Sequence, residues 1–269
     1  MVEIAVVCNG GENIIVARDE MKGCDEYEFG TYADRNISTI MKLTKTCALA
    51  AVGNASLIED YYAMLHDEIV SEKKMPLCKI AQSASKVSAM FLKEQVEQAI
   101  LLPKGIDSIT TFQGLRNELD PELGNSIQND MDDIRLGFEV MLVGVDRGGG
   151  HIHEFDNRAK LIRSLDIGYN AIGIGAAHAL TSLGYTGFQS SMDLPESLVH
   201  IFAAKKAAER APLVGPGTEV AVIDCADMRF LDELHLEGLE SIWLSRKKDF
   251  RNWEADMNEV GRIEENVIM

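Results

Sequence analysis

The sequence predicts an α+β chain whose element order fits a four-layer αββα sandwich, one of several α+β folds that composition alone does not separate, and three observations carry that reading. Short apolar runs come in pairs joined by glycine turns, the mark of antiparallel strands. Two helical stretches separate one set of strands from the next, so helices are expected to lie in layers against sheets. The order of elements is strands, two helices, strands, two helices, strand.

Residues 2–8 are dense in β-branched side chains, which favour strands. Asn9-Gly10-Gly11 then supplies a turn, and Ile14 to Ala17 resumes the extended run, so a hairpin is expected at the front of the chain. A looser acidic segment occupies residues 20–36. Thr39 to Lys45 and Cys47 to Val52 make a second strand pair, broken by Gly53-Asn54. From Ser56 to Ser71, Leu57, Ile58, Tyr61, Met64, Leu65 and Ile69 recur at helical spacing. Pro76 suits the first turn of a second helix, with Ile80, Ala84, Val87, Met90, Phe91 and Val96 on one face.

Residues 99–136 contain Pro103, Gly105, Gly114, Pro121 and Gly124, and read as an irregular excursion holding short helices at most. Apolar Met141 to Val145 follows, then the Gly148-Gly149-Gly150 turn, a strand over His151 to Asp156, and another at Asn170 to Ile172. Gly173-Ile174-Gly175 leads into a short helix over Ala176 to Leu183. Asp193, two residues before Pro195, caps a longer helix through Arg210 that carries Leu198, Ile201, Phe202 and Ala208 inward. Pro212, Gly215, Pro216 and Gly217 mark a loop, and Glu219 to Ile223 a buried strand. A charged helix is expected from Ser245 to about Glu265. The expected organisation is one domain over residues 1–225, with an insertion at about 99–136, and a partly helical C-terminal extension over 226–269.

At 269 residues and 46% hydrophobic content, the chain can bury one large core with appendages. Its formal charge of −17 argues against nucleic acid, whose phosphates need clustered Lys and Arg. The five cysteines form no CxxC pair. Cys8, Cys47 and Cys225 lie in apolar strand-like runs, where a free Cys behaves as a small hydrophobe. An odd count fits a reducing compartment. No run approaches the roughly 18 apolar residues of a membrane span, and the front lacks the basic region and length of a signal peptide. A cytoplasmic protein without a membrane segment is expected.

His151 and His153 alternate on one strand and so share a face. Without a third ligand at a known spacing they read as a solvated hairpin face rather than a metal site. Gly148-Gly149-Gly150 lacks the Lys and Ser/Thr of a phosphate loop and precedes a strand, so it reads as a tight turn. No cofactor and no metal are expected.

The ordered set of runs carries a resemblance. Val2 to Val7 with Ile14 to Asp19, Ala50-Ala51-Val52-Gly53, Leu142 to Asp146, Ile172 to Ala176 and Gly215 to Ile223 stand in the order and roughly the spacing of β-type proteasome subunits, which belong to the N-terminal-nucleophile hydrolases. The resemblance covers about residues 2–224, interrupted by 99–136. The chain starts directly in the first strand, without the helix that precedes it in α-type subunits. The family's fold is the αββα sandwich, and its chemistry is attack by an N-terminal Thr hydroxyl on a peptide carbonyl, supported by Lys and Asp side chains and a Ser/Asp/Ser set.

The family's nucleophile falls at Val2, or at Glu3 if the Asn9–Asn13 turn is not one residue longer. Its acidic residue matches Asp19. Its lysine position falls at Thr39, because using nearby Lys42 needs an odd register shift that turns the side chain to the other face. Its Ser/Asp/Ser set falls at Ile174, Ala211 and Val214. Asp19 alone keeps the family's residue type.

The expectation is therefore a proteasome-like protein without Thr-protease activity, acting as an oligomeric scaffold or binding protein. The resemblance further implies a homo-oligomer or ring, packed through the helices near 56–98 and open to related subunits, with a peptide or protein as ligand. The competing reading is an active peptidase or amidohydrolase using other residues. Ser38 or Thr39 is the nearby hydroxyl for such chemistry. Cleavage at Gly30-Thr31 would discard the first hairpin, and a terminal Cys8 would lie too close in sequence to Asp19.

Overall fold

A computed structural model describes residues 1–19, 36–70, 75–156, 158, 161–163 and 167–246. Its strands are β1 (Glu3–Cys8), β2 (Asn13–Asp19), β3 (Asn36–Thr44), β4 (Cys47–Asn54), β5 (Phe138–Asp146), β6 (Gly149–Phe155), β7 (Leu161–Arg163), β8 (Tyr169–Ile172), β9 (Thr218–Ile223) and β10 (Met228–Phe230). Its main helices are α1 (Ala55–Val70), α2 (Leu77–Val96), α3 (Ile109–Leu115), α4 (Pro121–Asp133), α5 (Ala176–Tyr185) and α6 (Leu194–Ala208). Residues 20–35 of the expected acidic segment, the Gly30-Thr31 junction and the tail beyond residue 246 lie outside the described residues.

Two sheets form, each with antiparallel neighbours throughout. One runs β10-β9-β2-β1-β8 and the other β3-β4-β5-β6-β7. Strand alternation sorts the side chains into three cores. Ala5, Val7, Ile14 and Val16 of the first sheet meet Ile40, Ala48, Ala50, Met141 and Val143 of the second. Ile4, Val6, Ile15 and Ala17, the alternate residues, face α5 and α6. Leu49, Ala51, Val140 and Leu142 face α1 and α2, whose Ile58, Tyr61, Leu65, Ile80 and Ala84 cover them. Helices thus cover the outer face of each sheet, while the inner faces bury each other.

The local signals act as chemistry requires. Asp193 accepts the Glu196 N–H at 2.8 Å and starts α6 with Pro195 in its first turn. Gly149, at φ +104, makes the β5–β6 turn.

Four differences from the sequence reading are physical findings. The 99–136 excursion is largely helical rather than irregular. Ser108 caps α3 by accepting the Thr111 N–H, Asp120 caps α4 through Glu122 and Leu123, and Val96, Leu101, Ile106, Phe112 and Ile127 give the excursion its own small core. The first sheet does not stop at residue 225, because β10 pairs Met228 with Ile223 and extends it through Phe230. Within the partly helical extension, a helix occupies residues 233–246, ahead of the stretch expected from Ser245, tied to α6 by an ion pair of Lys206 with Glu240 at 2.9 Å. Cys225 is exposed beyond the end of β9 rather than buried within a strand.

Candidate functional site

The place to look is the end of β1 and β2 where Val2, Glu3 and Asp19 meet, since Glu3 pairs with Arg18 and the Asp19 N–H donates to the Val2 carbonyl at 3.2 Å. Alternation sends neighbouring residues to opposite faces. Val2, fully buried, joins the core against α5 and α6. Glu3, also fully buried, turns the other way, into the space between the sheets.

On that inner face three charged residues stand in a row across the strands, Glu219 of β9 opposite Arg18 and Arg18 opposite Glu3. Arg18 Nε ion-pairs with Glu219, and Arg18 Nη1 donates to the Ser38 carbonyl of the second sheet at 2.5 Å. The Ser38 hydroxyl lies 2.8 Å from Glu3 Oε1 and 3.1 Å from the Val2 carbonyl oxygen. Burial pushes the Glu3 carboxyl well above the usual carboxylate range, against the opposing influence of Ser38 and Arg18. The Ser38 hydroxyl donates to Glu3 Oε1 and also lies within reach of the Val2 carbonyl oxygen. Glu3 Oε2 is buried without a hydrogen-bond partner among the described residues. Glu139 of β5 accepts the Gly173 N–H at 2.7 Å beside this cluster.

On the helix-facing side Asp19 is fully buried and accepts the Gly215 N–H on both oxygens, at 3.1 and 3.0 Å. Lys205 of α6, fully buried, points its ammonium at the same place. Its Nζ donates to the Gly215 carbonyl at 2.5 Å and to Glu209 at 2.9 Å, and lies 4.0 Å from Asp19 Oδ1. Burial lowers the Lys205 pKa, while Glu209 and Asp19 oppose that shift. The Met1 amine donates to the Leu213 carbonyl at 2.6 Å and lies 3.9 Å from Asp19.

The residues assigned by resemblance divide accordingly. Asp19 lies at this strand end, as do the segments carrying Ile174, Ala211 and Val214. Gly173, at φ +89, leaves so little room that an added Cβ would fall 2.7 Å from the Met1 carbonyl. One on Gly175 would meet Val2 and Val214 at 3.0 and 3.1 Å. Thr39 is not part of the cluster. It shares its face of β3 with Ile37 and Met41, which pack in the α1/α2 core, so Ser38 is the β3 side chain that reaches the site. Lys42, on the inner-face parity, is drawn to an exposed ion pair with Asp227.

Sequence reasoning missed Lys205 and named Glu3 only as an alternative nucleophile position, although both carried a signal. Lys205 stands on the same helical face as Leu198, Ile201 and Ala208, where a lysine requires a buried acceptor. Glu3 shares the strand face of Ala5 and Val7, where a carboxyl must neutralise or pair.

The remaining candidates lie elsewhere. His153 is buried and stacks on His151 with ring centroids 6.2 Å apart, so the pair is not a solvated face. His151 Nε2 lies 3.3 Å from Asp146 Oδ1. No three His, Cys, Asp or Glu side chains gather as a metal site among the described residues. Burial pushes the Cys8 thiol up to about 11, which makes it a poor nucleophile. Among the described residues no helix is long and apolar enough to cross a membrane.

Comparison with known proteins gives two partial similarities. Proteasome subunit beta 2 of Pyrobaculum arsenaticum is 34% identical over 87 residues, 32% of this chain and 41% of that protein. Proteasome subunit beta 2 of Pyrobaculum aerophilum is 33% identical over 87 residues, with the same coverage. The chain thus spans about two fifths of the length of these curated relatives, and the similarity supports a relationship to proteasome β-type subunits. No protein-family model matches the chain.

Proposed function

We propose that this chain is a divergent proteasome-like protein of the N-terminal-nucleophile hydrolase fold that does not cleave peptides by Thr-type chemistry. It acts in the cytoplasm as an oligomeric scaffold or binding subunit, in a ring or other assembly with itself or with related subunits. One observation carries the reading. Where the resemblance calls for an exposed hydroxyl backed by a lysine, Val2 is alkyl and faces the helices, and the inner face holds buried Glu3 with Arg18, Ser38 and Glu219. An alkyl group cannot attack a carbonyl or carry a proton. In this reading Val2 marks the nucleophile position, Asp19 the retained acid, and Lys205 takes over the task of neutralising Asp19 that the family gives to a lysine at position 39.

The second reading, an active hydrolase using non-standard residues, draws on the 2.8 Å contact between Ser38 and Glu3. It is the weaker one. Ser38 is 3% exposed and Glu3 fully buried, leaving a substrate carbonyl no approach.

Incubation with an electrophilic peptide and a fluorophosphonate, read by intact mass, tests the choice. The expected result is no adduct and no peptide hydrolysis. A stoichiometric adduct on residue 2, residue 3 or Ser38, or a hydrolysis that Asp19→Ala abolishes, overturns the proposal.

A further inference from the structure

The helix α2 carries its lysines as one stripe. Lys79, Lys86 and Lys93 stand seven residues apart, about two turns each, and all three are exposed. The one other charged residue of this helix is Glu94, a local reversal in a chain of net charge −17. Lys79 and Lys86 line an open groove of about 460 Å³ together with Met75, Pro76, Gln82 and Ser83. Lys86 meets the exposed Glu68 at 2.9 Å, and Lys93 lies 3.8 Å from Glu97. Such exposed pairs hold their partners weakly. Lys79 has no ion-pair partner among the described residues.

The helix α4 has the opposite character. Glu122, Asp130, Asp132 and Asp133 are exposed on it, Asp120 caps it, and it contains no Lys or Arg. Asp130 meets Lys104 at 3.4 Å and Asp133 meets Arg135 at 4.0 Å, again at the surface. This acidic helix belongs to the small core built beyond the C-terminal end of α2, on Val96 and Leu101. The groove lies at the N-terminal half of the same helix. Twenty residues of helix span about 30 Å, so one copy cannot bring the two surfaces together.

We propose that the lysine-lined groove of α2 docks the acidic α4 of a second copy of this chain. A two-fold axis across the middle of α2 joins both pairs of surfaces at once, whereas a head-to-tail series uses one pair at each junction. The inference rests on the oligomeric part of the proposed function and is independent of its catalytic part.

Sedimentation velocity and native mass spectrometry of the full chain, at low and high salt, test it with two charge reversals. These are Lys79→Glu with Lys86→Glu in the groove, and Glu122→Lys with Asp132→Lys on α4, all at exposed positions whose folding is checked by circular dichroism. Each pair is expected to weaken self-association about tenfold or more, high salt to weaken the wild type, and the combined variant to recover most of the loss. Assembly unchanged in both reversals overturns the docking surface and leaves the oligomeric reading standing. Failure of the combined variant to recover overturns the pairing of these two surfaces. A wild type that stays monomeric at every concentration overturns both.

Discussion

The two faces of one strand end make the instructive comparison. On the helix-facing side, Asp19 and Lys205 are both fully buried, yet every charge there has a partner in Gly215, Glu209 or the other ion. On the inner side, one residue away in each strand, Glu3 is equally buried, but one of its oxygens has no hydrogen-bond partner among the described residues. The first face meets the cost of burial by pairing charges, whereas on the second burial raises the pKa of an incompletely partnered carboxyl. The difference follows from what stands opposite. The outer face meets a helix that supplies a long flexible ammonium and a loop that supplies a backbone N–H. The inner face meets a sheet that supplies one short hydroxyl, while Arg18 is turned toward Glu219 and the Ser38 carbonyl.

Replacing the lysine breaks the comparison most strongly. Lys205→Met leaves the Gly215 carbonyl without its donor and Asp19 without its nearest side-chain cation, while Glu209 keeps Lys206 as a partner at 3.2 Å, so about 3–5 kcal/mol of stability is expected to be lost. Urea unfolding measures it, and a loss below about 1 kcal/mol would mean that this face is not held by its charges.

Restoring a hydroxyl where the resemblance asks for one tests the direction of the side chains. Val2→Thr places an Oγ in the α5/α6 core, with an expected cost of about 1–3 kcal/mol and no gain of peptide hydrolysis. Hydrolysis by the folded variant would show that residue 2 reaches the inner face after all.

The smallest effect sharpens the contrast through pH. Folding raises the Glu3 pKa, so the folded state binds a proton more tightly than the unfolded one. The Glu3 contribution to stability is therefore greatest at acid pH and falls as pH climbs from the ordinary carboxylate range towards the folded-state value. Glu3→Gln removes that slope, and a relative gain on the order of 1 kcal/mol is expected at pH 8 over pH 5. Denaturation of both proteins at the two pH values supplies the readout; parallel pH profiles would show that Glu3 is charged in the fold.

Much of the fold was legible beforehand, because strand alternation, helical spacing, Pro76 and the Asp193 cap act within a few residues. The 99–136 stretch was misread for the opposite reason. Its prolines and glycines looked like breaks, whereas Pro103 and Pro121 sit in first turns and Asp120 supplies a cap. Asp19 and the segments of Ile174, Ala211 and Val214 lie together near Val2, a matter of placement alone. Thr39 shares the face of Ile37, Met41 and Leu43 toward α1 and α2, so the even-numbered Ser38 is the β3 side chain that meets Glu3.

The sequence by itself determined which segments extend, which coil and which side chains of each must be buried, since those follow from local sterics and from the period of the apolar residues. Only the tertiary structure decided that a lysine on α6 meets an aspartate on β2, and that a glutamate at the third residue closes against Ser38 rather than facing solvent. Those pairings join residues far apart in the chain, and no local periodicity encodes which buried charge will find which partner.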